Sequence, residues 1–417
     1  MNSKKNILYF SDSSFFSGSQ NMIINFLESD TLNIYYNVSF AYCYSELYEN
    51  GLNSRLRNSH KVKLFPIQLA DKILIKSAKK SLFYKIYKGF AILFYKYYSL
   101  ILNTYLLFNF LKSKQFDIIH INNGGFPGGT PCNAMVLASK FIKTEHVVYV
   151  ANNTAEDYRF FLRWLDFPID LIIKRTVSKF VTGSKYSLEI LKKTLKLPEH
   201  KTEQIFNGIK PRKVKQNKTQ FLKENDIPLD SFVISSIGNL EKRKGHIYLL
   251  KAFNKLLKEY SNNNLTLLLA IGKINPELNN IRDYINLNNL EMNVRVLKYT
   301  INVFDLYSAS DLIVIPSIAN EDLPNVISEA MSLGKPLIGT SVAGIPEQIM
   351  NNKSGFIVKP RNSEELFLKI KYLLMNRSKL KDFSDESLKR FELYFKSEQS
   401  VLKYIELYNS ILLKKEI

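Results

Sequence analysis

Short apolar runs alternate with amphipathic segments along the whole chain. In the first half, the apolar runs have the length and composition of strands, and the segments between them have the periodicity of helices. The predicted strands lie at residues 6–12, 36–44, 61–67, 116–123, 145–153 and 179–184. Because apolar strands that alternate with helices are typical of parallel sheets covered on both faces, the pattern predicts a doubly wound α/β domain.

The same pattern starts again after a polar, basic stretch at 206–230, which contains Gly208, Pro211 and Pro228 and is predicted to be a linker. The later predicted strands lie at residues 232–240, 264–272, 294–299, 311–317, 336–341 and 354–360. We therefore predict Rossmann-like domains at 1–205 and 231–385, followed by a closing amphipathic helix at 386–417. Two such domains would face each other across a cleft at the carboxyl ends of their strands, where these sheets bind ligands.

Composition, net charge and cysteine content limit the kinds of protein that this chain could be. The 417 residues are 46% hydrophobic, which indicates a globular chain, and the formal net charge of +20 predicts a polyanionic partner. No zinc-finger spacing or RNA-recognition signature accompanies that charge, so nucleic acid is not favoured. Two cysteines, Cys43 and Cys132, make no disulfide framework, and the first apolar run is too short for a signal peptide, so a cytoplasmic location is expected.

The positive charge is concentrated at residues 72–114, which contain nine lysines and no acidic residue. Four of the lysines share one arc of a predicted helix: Lys72, Lys76, Lys79 and Lys80. A basic amphipathic helix followed by an aromatic-rich helix suits the surface of an anionic membrane, and a lysine-studded helix over a core helix is the alternative. A transmembrane span is less favoured, because Asn103, Thr104 and Asn109 interrupt the apolar run.

Two carboxylates near the end of a predicted strand are the first candidates for chemistry. In "NEDLPNVISEA", Glu321 lies in the loop after strand 311–317 and Glu329 lies on the following helix, for which Pro324 suits the first position. The amides that begin this helix would bind a phosphate, and the carboxylates would accept hydrogen bonds from sugar hydroxyls on either side of it. Glu329 taken alone would be interpreted as a solvated surface carboxylate, whereas the pair of glutamates favours a binding site.

A second strand end supplies cations. The strand "FVISSIG" ends at Gly238, and Lys242, Arg243 and Lys244 precede Gly245 and a helix. Lysine and arginine at such a turn can neutralise a diphosphate leaving group, although each taken separately could be ordinary surface charge.

Residues 311–358 resemble the donor-binding half of the retaining glycosyltransferases of family 4, which have two Rossmann-like domains in the GT-B arrangement. The shared pattern is a glutamate, seven intervening residues and a second glutamate, followed by "EAM" and "GIPE". Weaker similarity extends to "KGHIYLLKAF", "IFNGI" and "FVTGS".

The resemblance implies roles for particular residues. Glu321 would contact the transferred sugar, Glu329 the ribose hydroxyls and Lys244 the diphosphate. His120 matches a histidine often found at the reaction centre, and a hydrogen-bonded histidine at a strand end is the alternative. The remaining implied donor-binding residues are Gly18, in a glycine-rich loop near the diphosphate, and Gly238, Asn239, Arg243, Leu323, Asn325 and Val326.

The chain also departs from the family pattern. Asn239 stands where the family commonly has arginine, so a phosphate contact is lost or passes to Arg243. Gly18 is followed by serine rather than a second glycine, and Glu321 is followed by Asp322 rather than glycine. These differences predict weakened or altered donor binding.

The expected activity is transfer of a hexose-type sugar from a UDP- or GDP-sugar to a polyprenyl-diphosphate-linked or other saccharide acceptor, with retention of configuration. Capsule, exopolysaccharide or O-antigen synthesis at the inner face of the cell membrane would use such an enzyme. The chain contains no Asp-x-Asp motif, so neither a metal nor another cofactor is expected. The acceptor would bind in the first domain, near the Gly/Pro-rich loop at 122–131. The alternatives are a catalytically silent GT-B subunit that positions acceptor for a partner transferase, and an epimerase or phosphorylase of related fold.

Overall fold

The computed structural model describes residues 4–13, 18–57, 62–70, 82–160, 162–260, 264–271, 277–298, 302–319 and 321–413. Side chains at 18–19, 21 and 82–90 are outside this description. The four lysines predicted to form a basic arc between residues 72 and 80 therefore lie outside the described residues.

The chain divides into two compact units. The first comprises Met1–Ile205 and Val401–Ile417, and the second comprises Phe206–Ser400. The stretch at 206–230 belongs to the second unit, where it forms a helix and buries Phe221 and Leu222 in the core, rather than serving only as a connection.

A seven-stranded sheet forms the centre of the first unit, with its strands in the order β3-β2-β1-β4-β5-β6-β7 and parallel pairings. The strands are β1 (Lys5–Ser11), β2 (Tyr36–Cys43), β3 (Lys63–Ile67), β4 (Ile118–Asn123), β5 (His146–Ala151), β6 (Lys179–Thr182) and β7 (Thr202–Gln204). The helices are α1 (Gly18–Leu27), α2 (Asp30–Tyr35), α3 (Glu46–Asn53), α4 (Leu82–Lys112), α5 (Thr130–Phe141), α6 (Phe167–Thr176) and α7 (Lys185–Leu195). The first six strands agree with the sequence prediction, whereas β7, which is short and polar, was not predicted.

The second unit contains a six-stranded parallel sheet with the order β10-β9-β8-β11-β12-β13. Its strands are β8 (Phe232–Ile237), β9 (Leu265–Ile271), β10 (Val294–Lys298), β11 (Leu312–Ile315), β12 (Leu337–Thr340) and β13 (Gly355–Val358). Its helices are α8 (Lys218–Glu224), α9 (His246–Glu259), α10 (Glu277–Leu287), α11 (Val303–Ala309), α12 (Asn325–Met331), α13 (Ile345–Gln348), α14 (Ser363–Met375) and α15 (Arg377–Arg390). All six strands lie where the sequence predicts them.

The carboxyl-terminal stretch is more complex than the single closing helix predicted at 386–417. Helix α15 ends at Arg390, a π-helical turn follows at Phe391–Phe395, and α16 (Ser397–Leu413) completes the described chain. From Val401 onwards, α16 packs in the core of the first unit, where Tyr404 and Tyr408 are buried.

Each sheet is covered on both faces, as its nearly continuous apolar strands require. In β1, Ile7 and Tyr9 pack in one cluster of buried residues, whereas Leu8 and Phe10 pack in another, because successive side chains point to opposite faces. No helix among the described residues is both long enough and apolar enough to cross a bilayer.

Candidate functional site

The loop after β8 and the loop after β11 are held against each other by their backbones. The amide of Ile318 donates to the carbonyl of Arg243 at 2.7 Å. Gly245 has φ +68°, and a Cβ at this position would lie 2.0 Å from the carbonyl oxygen of Pro316. Glycine is therefore required here both for its backbone conformation and for the close approach of the two loops.

This approach brings the predicted cation and the predicted carboxylate into contact. The Nζ atom of Lys244 lies 2.5 Å from Oε1 of Glu321, and Ser317 Oγ donates to the same oxygen at 2.8 Å. Arg243 Nη1 is 3.4 Å away from it. Glu321 is buried, so these neighbours replace much of the water that would otherwise solvate its charge.

Glu329, on α12, is joined to α11 by the hydroxyl of Tyr307, which donates to Oε2 at 2.8 Å. Burial raises the pKa of the Glu329 carboxyl, while the Tyr307 bond and the positive charge of Arg212 oppose that rise. The sequence does not predict Tyr307 or Arg212 as partners of Glu329, since the Tyr307 bond and the electrostatic effect of Arg212 depend on how the helices and the 206–230 stretch pack. Ser317 was not predicted either, although a hydroxyl at the end of a strand is a recognisable signal.

The start of α12 differs from the prediction in two respects. Pro324 is the N-cap residue, with φ −64° and ψ 119°, so the helix begins at Asn325 rather than at the proline. Leu323, predicted to contact the donor, is buried and packs in the hydrophobic core, and Val326 packs against the same cluster. Asn325 is half-buried at the first helical position.

Glu241 links the two remaining polar candidates of the β8 loop. Arg243 Nε lies 2.5 Å from Glu241 Oε2, so the guanidinium is held between Glu241 and Glu321. Asn239 is exposed, and its Nδ2 is 3.5 Å from the other oxygen of Glu241. A Cβ on Gly238 would lie 3.8 Å from Lys244 Cδ, an ordinary contact, so this glycine is not required for space.

His120 lies in the core of the first unit within β4, which continues to Asn123. Its Nδ1 is 2.7 Å from the hydroxyl of Tyr408, and its ring packs against Tyr9 and Tyr404. Burial lowers the pKa of His120 to about 3, so the imidazole is neutral. These contacts favour a structural histidine over a group that touches substrate.

The Gly/Pro-rich loop after β4 is shaped by side chains of its own unit. A Cβ on Gly128 would clash with Asn123, and one on Gly129 would lie 1.3 Å from Oδ2 of Asp12. By contrast, a Cβ on Gly124 would meet nothing within 4 Å. Gly18, the other glycine predicted to bind donor, is the first residue of α1.

No cluster of three or more His, Cys, Asp or Glu side chains suited to a metal ion occurs in the part of the chain that the structure describes. The contacts described above define a candidate site in the second unit. Its residues are Lys244, Arg243, Ser317, Glu321, Glu329 and Tyr307.

Residues 217–390, which include this whole cluster, match the family model described as "Glycosyl transferases group 1". The segment is similar to a group 1 glycosyltransferase domain over less than half of the chain. The matched residues include the entire second sheet and helices α8 to α15.

Curated proteins are similar to parts of this chain. A capsular polysaccharide biosynthesis glycosyltransferase of Staphylococcus aureus is 30% identical over 189 residues, which cover 45% of this chain and 48% of the relative. A UDP-Gal:alpha-D-GlcNAc-diphosphoundecaprenol alpha-1,3-galactosyltransferase of Escherichia coli is 24% identical, with 61% and 65% covered. The matches span about half to two thirds of the length of these curated relatives.

Solved structures extend the likeness to the whole chain. A glycosyltransferase from Rickettsia africae has a TM-score of 0.77 at 19% identity and covers 98% of this chain, with 99% of its own covered. Anabaena HepE in complex with UDP-glucose has a TM-score of 0.72 at 16% identity, with 97% and 99% covered. The chain therefore has a GT-B fold, in which the group 1 domain is the second Rossmann-like unit.

Proposed function

We propose that this protein is a retaining hexosyltransferase that uses a UDP- or GDP-sugar as donor and a lipid-linked saccharide as acceptor. The observation that carries the proposal is the contact between Lys244 and Glu321 within the group 1 domain. A cation beside a buried carboxylate gives one site both a partner for a diphosphate and an acceptor for sugar hydroxyls.

The proposed reaction breaks the bond between the anomeric carbon and the diphosphate oxygen. Lys244 and Arg243 stabilise the negative charge that develops on the leaving diphosphate. Glu321 accepts hydrogen bonds from the transferred sugar, and Glu329 accepts them from the ribose. The acceptor hydroxyl forms its new bond on the face that the diphosphate leaves, and its proton departs with the diphosphate. The reaction needs no metal ion in this proposal.

The contact of Lys244 with Glu321 has a consequence for donor binding. A diphosphate that approaches Lys244 competes with Glu321 Oε1 for the lysine's ammonium group. The same oxygen accepts a hydrogen bond from Ser317 and lies near Arg243. Ser317 and Arg243 would keep that oxygen partnered when Lys244 turns to the phosphate. The lysine can therefore exchange its partner without leaving a buried carboxylate unsatisfied.

The donor and acceptor classes come from the relatives. HepE was solved with UDP-glucose, and the name of the E. coli relative specifies UDP-Gal and a diphosphoundecaprenol-linked acceptor. The S. aureus relative is named for capsular polysaccharide biosynthesis. We extend these features to this chain as a UDP-hexose donor, with GDP-sugars second, and a polyprenyl-diphosphate-linked acceptor at the inner face of a membrane, in surface polysaccharide synthesis.

A donor screen tests the proposal. Purified protein is incubated with UDP- and GDP-hexoses, with and without EDTA, and hydrolysis and thermal stabilisation are measured. We expect one donor to be hydrolysed and to stabilise the wild type with or without EDTA, Glu321→Ala to abolish hydrolysis, and Glu329→Ala to weaken stabilisation. If no donor registers, or both variants match the wild type, the site assignment is wrong. Retention is tested on the product by the anomeric coupling constant in NMR spectra.

A catalytically silent GT-B subunit is the second candidate. Asn239 favours it, because this exposed amide stands where the resemblance implies a phosphate-binding arginine. Such a subunit would bind nucleotide sugar without turnover. Stabilisation by a donor, with hydrolysis and transfer absent in the wild type, would favour the silent subunit over the enzyme.

A further inference from the structure

Helix α4 exposes an apolar and aromatic stripe on the surface of the first unit. Phe94, Tyr98, Ile101 and Tyr105 follow one another at helical spacing, and each is at least half exposed. The opposite face of the helix, with Leu100, Leu107 and Leu111, is buried in the core. The stripe is therefore not needed to attach α4 to its own unit, and it extends over roughly 16 Å at 1.5 Å per residue.

An open apolar groove adjoins the stripe between α4 and α5. Ile101 and Tyr105 line one wall, Leu137 and Phe141 line the other, and the groove has a volume of about 640 Å³. Phe141 is itself largely exposed. A monomeric protein rarely leaves a continuous apolar surface of this kind in water unless a partner covers it.

The α4 and α5 segments carry charges of one sign. Residues 91–114 and 130–143, which include the described side chains of α4 and all of α5, contain five lysines and no acidic residue: Lys96, Lys112, Lys114, Lys140 and Lys143. Lys96 is paired with Asp166, whereas Lys112 and Lys140 are exposed. Aromatic side chains flanked by lysines match the chemistry of an anionic lipid surface, where rings enter the headgroup layer and cations meet phosphates.

We infer that the α4–α5 face, defined by Phe94, Tyr98, Ile101, Tyr105 and Phe141, is a docking surface for an anionic phospholipid bilayer. This inference rests on the proposed function, because a lipid-linked acceptor requires the protein to work at a membrane. In this inference the main apolar contact with the membrane is made by the middle of α4 and the end of α5, rather than by the basic stretch at 72–80. A second copy of the chain is the competing occupant, but it would bring two lysine-rich faces together with no acidic residue on either segment to offset them.

Flotation with vesicles tests the docking surface. Wild-type protein is mixed with phosphatidylglycerol-rich or pure phosphatidylcholine vesicles at low and high salt. The double variant Phe94→Asp/Ile101→Asp is compared with Leu287→Asp/Met292→Asp, which alters two exposed apolar residues of the second unit. We expect the α4 variant to bind anionic vesicles about tenfold or more weakly, because it loses apolar insertion and gains negative charge. The control variant should float like the wild type, and phosphatidylcholine or high salt should weaken binding.

Insertion can be read directly, because the chain has one tryptophan. In a Trp164→Phe background, Tyr98→Trp places a fluorophore on the stripe, and Leu287→Trp places one on the second unit. We expect brominated acyl chains to quench the first and not the second. Circular dichroism confirms that the exposed substitutions leave the fold intact.

Three outcomes would overturn the inference: a wild type that does not float, an α4 variant that floats like the control, or a sedimenting dimer that the α4 variant converts to monomer. Donor hydrolysis, and transfer to a water-soluble acceptor, are measured on the same samples. Loss of flotation with hydrolysis retained contradicts the docking surface alone. Flotation without any donor hydrolysis contradicts the proposed transferase alone.

Discussion

The two units carry different kinds of side chain at the carboxyl ends of their strands. In the second unit, the loops after β8 and β11 bring Lys244 and Glu321 into an ionic contact. In the first unit, the same edge carries amides: Asn152 Nδ2 donates at 2.8 Å to Asn122 Oδ1 and to the carbonyl of Asn123. A diphosphate needs cations, whereas saccharide hydroxyls are matched by amides that donate and accept. The difference supports donor binding by the second unit and acceptor binding by the first.

Removing the cation should have the largest effect. We expect Lys244→Met to lower kcat for transfer by about 100-fold or more, the typical cost of removing one electrostatic group from a leaving-group site. Lys242→Met is the matched control, because Lys242 belongs to the same turn but is exposed. Equal losses in the two variants, measured with the donor found by screening, would show that the turn contributes only general charge.

Two glycines, one at each sheet edge, sharpen the comparison. Gly245→Ala should disrupt the site, because its Cβ would collide with the Pro316 carbonyl and its backbone has a positive φ. Gly124→Ala should change little, since its Cβ meets nothing within 4 Å. We expect kcat to fall at least about tenfold in the first variant, because displacement of Lys244 weakens its stabilisation of the leaving group. A comparable loss in Gly124→Ala would instead assign a ligand contact to the first unit's loop.

The sequence predicts the sheets better than it predicts the contacts between side chains. Strands such as β1, β8 and β9 are nearly unbroken apolar runs, and a strand buried on both faces leaves that signature. Lys244 and Glu321 could be assigned to one donor site in advance because carboxyl ends of parallel strands share one edge, whereas their direct contact was not predicted. The bond from Tyr307 to Glu329 could not be predicted, because it depends on how α11 packs against α12. The hydrogen bond between His120 and Tyr408 could not be predicted either, since nothing in the sequence shows that α16 packs against β4.

His120 is expected to contribute to stability rather than catalysis. His120→Phe should lower the free energy of unfolding by about 0.5 to 1.5 kcal/mol, because the Tyr408 hydroxyl loses one buried partner and keeps Tyr9. Urea denaturation at neutral pH measures this loss, while donor hydrolysis should persist. Tyr408→Phe removes the bonds of this hydroxyl to both His120 and Tyr9 and keeps the ring, so it should act in the same direction. A folded His120→Phe protein without hydrolysis would restore the reaction-centre hypothesis.

The pH dependence of stability provides a second test of the buried His120. Burial lowers the pKa of His120 to about 3, whereas an unfolded histidine has a pKa of about 6.5. Between these values the unfolded state binds more protons, so the wild type loses stability as pH falls below about 6.5. His120→Phe should lose less stability over that range, as measured by urea midpoints at each pH. Equal slopes in the two proteins would mean that His120 is accessible and titrates normally in the folded state.

A smaller, graded effect is expected at Glu329. Its ionised form would accept the ribose hydroxyls, so UDP affinity should fall as pH decreases through the raised pKa of this carboxyl. Tyr307→Phe removes a bond that favours the ionised form and should shift that decline to higher pH. Glu329→Gln should bind UDP more weakly and abolish the dependence. Calorimetric titration with UDP across the pH range measures all three, and identical profiles would place Glu329 outside the donor site.

The smallest effect is expected at Asn239, where the resemblance implies an arginine. Asn239→Arg would add a cation near the diphosphate, but Glu241 already contacts Asn239 and holds Arg243. A new guanidinium would compete with Arg243 for Glu241, so Glu241 would neutralise part of its positive charge. We therefore expect UDP affinity to rise only about twofold to fivefold, the range of one exposed charge contact. Asn239→Gln, which adds length without charge, should leave affinity unchanged. A gain of several orders of magnitude would instead mean that Arg243 has not taken over the phosphate contact and that the natural chain binds donor poorly.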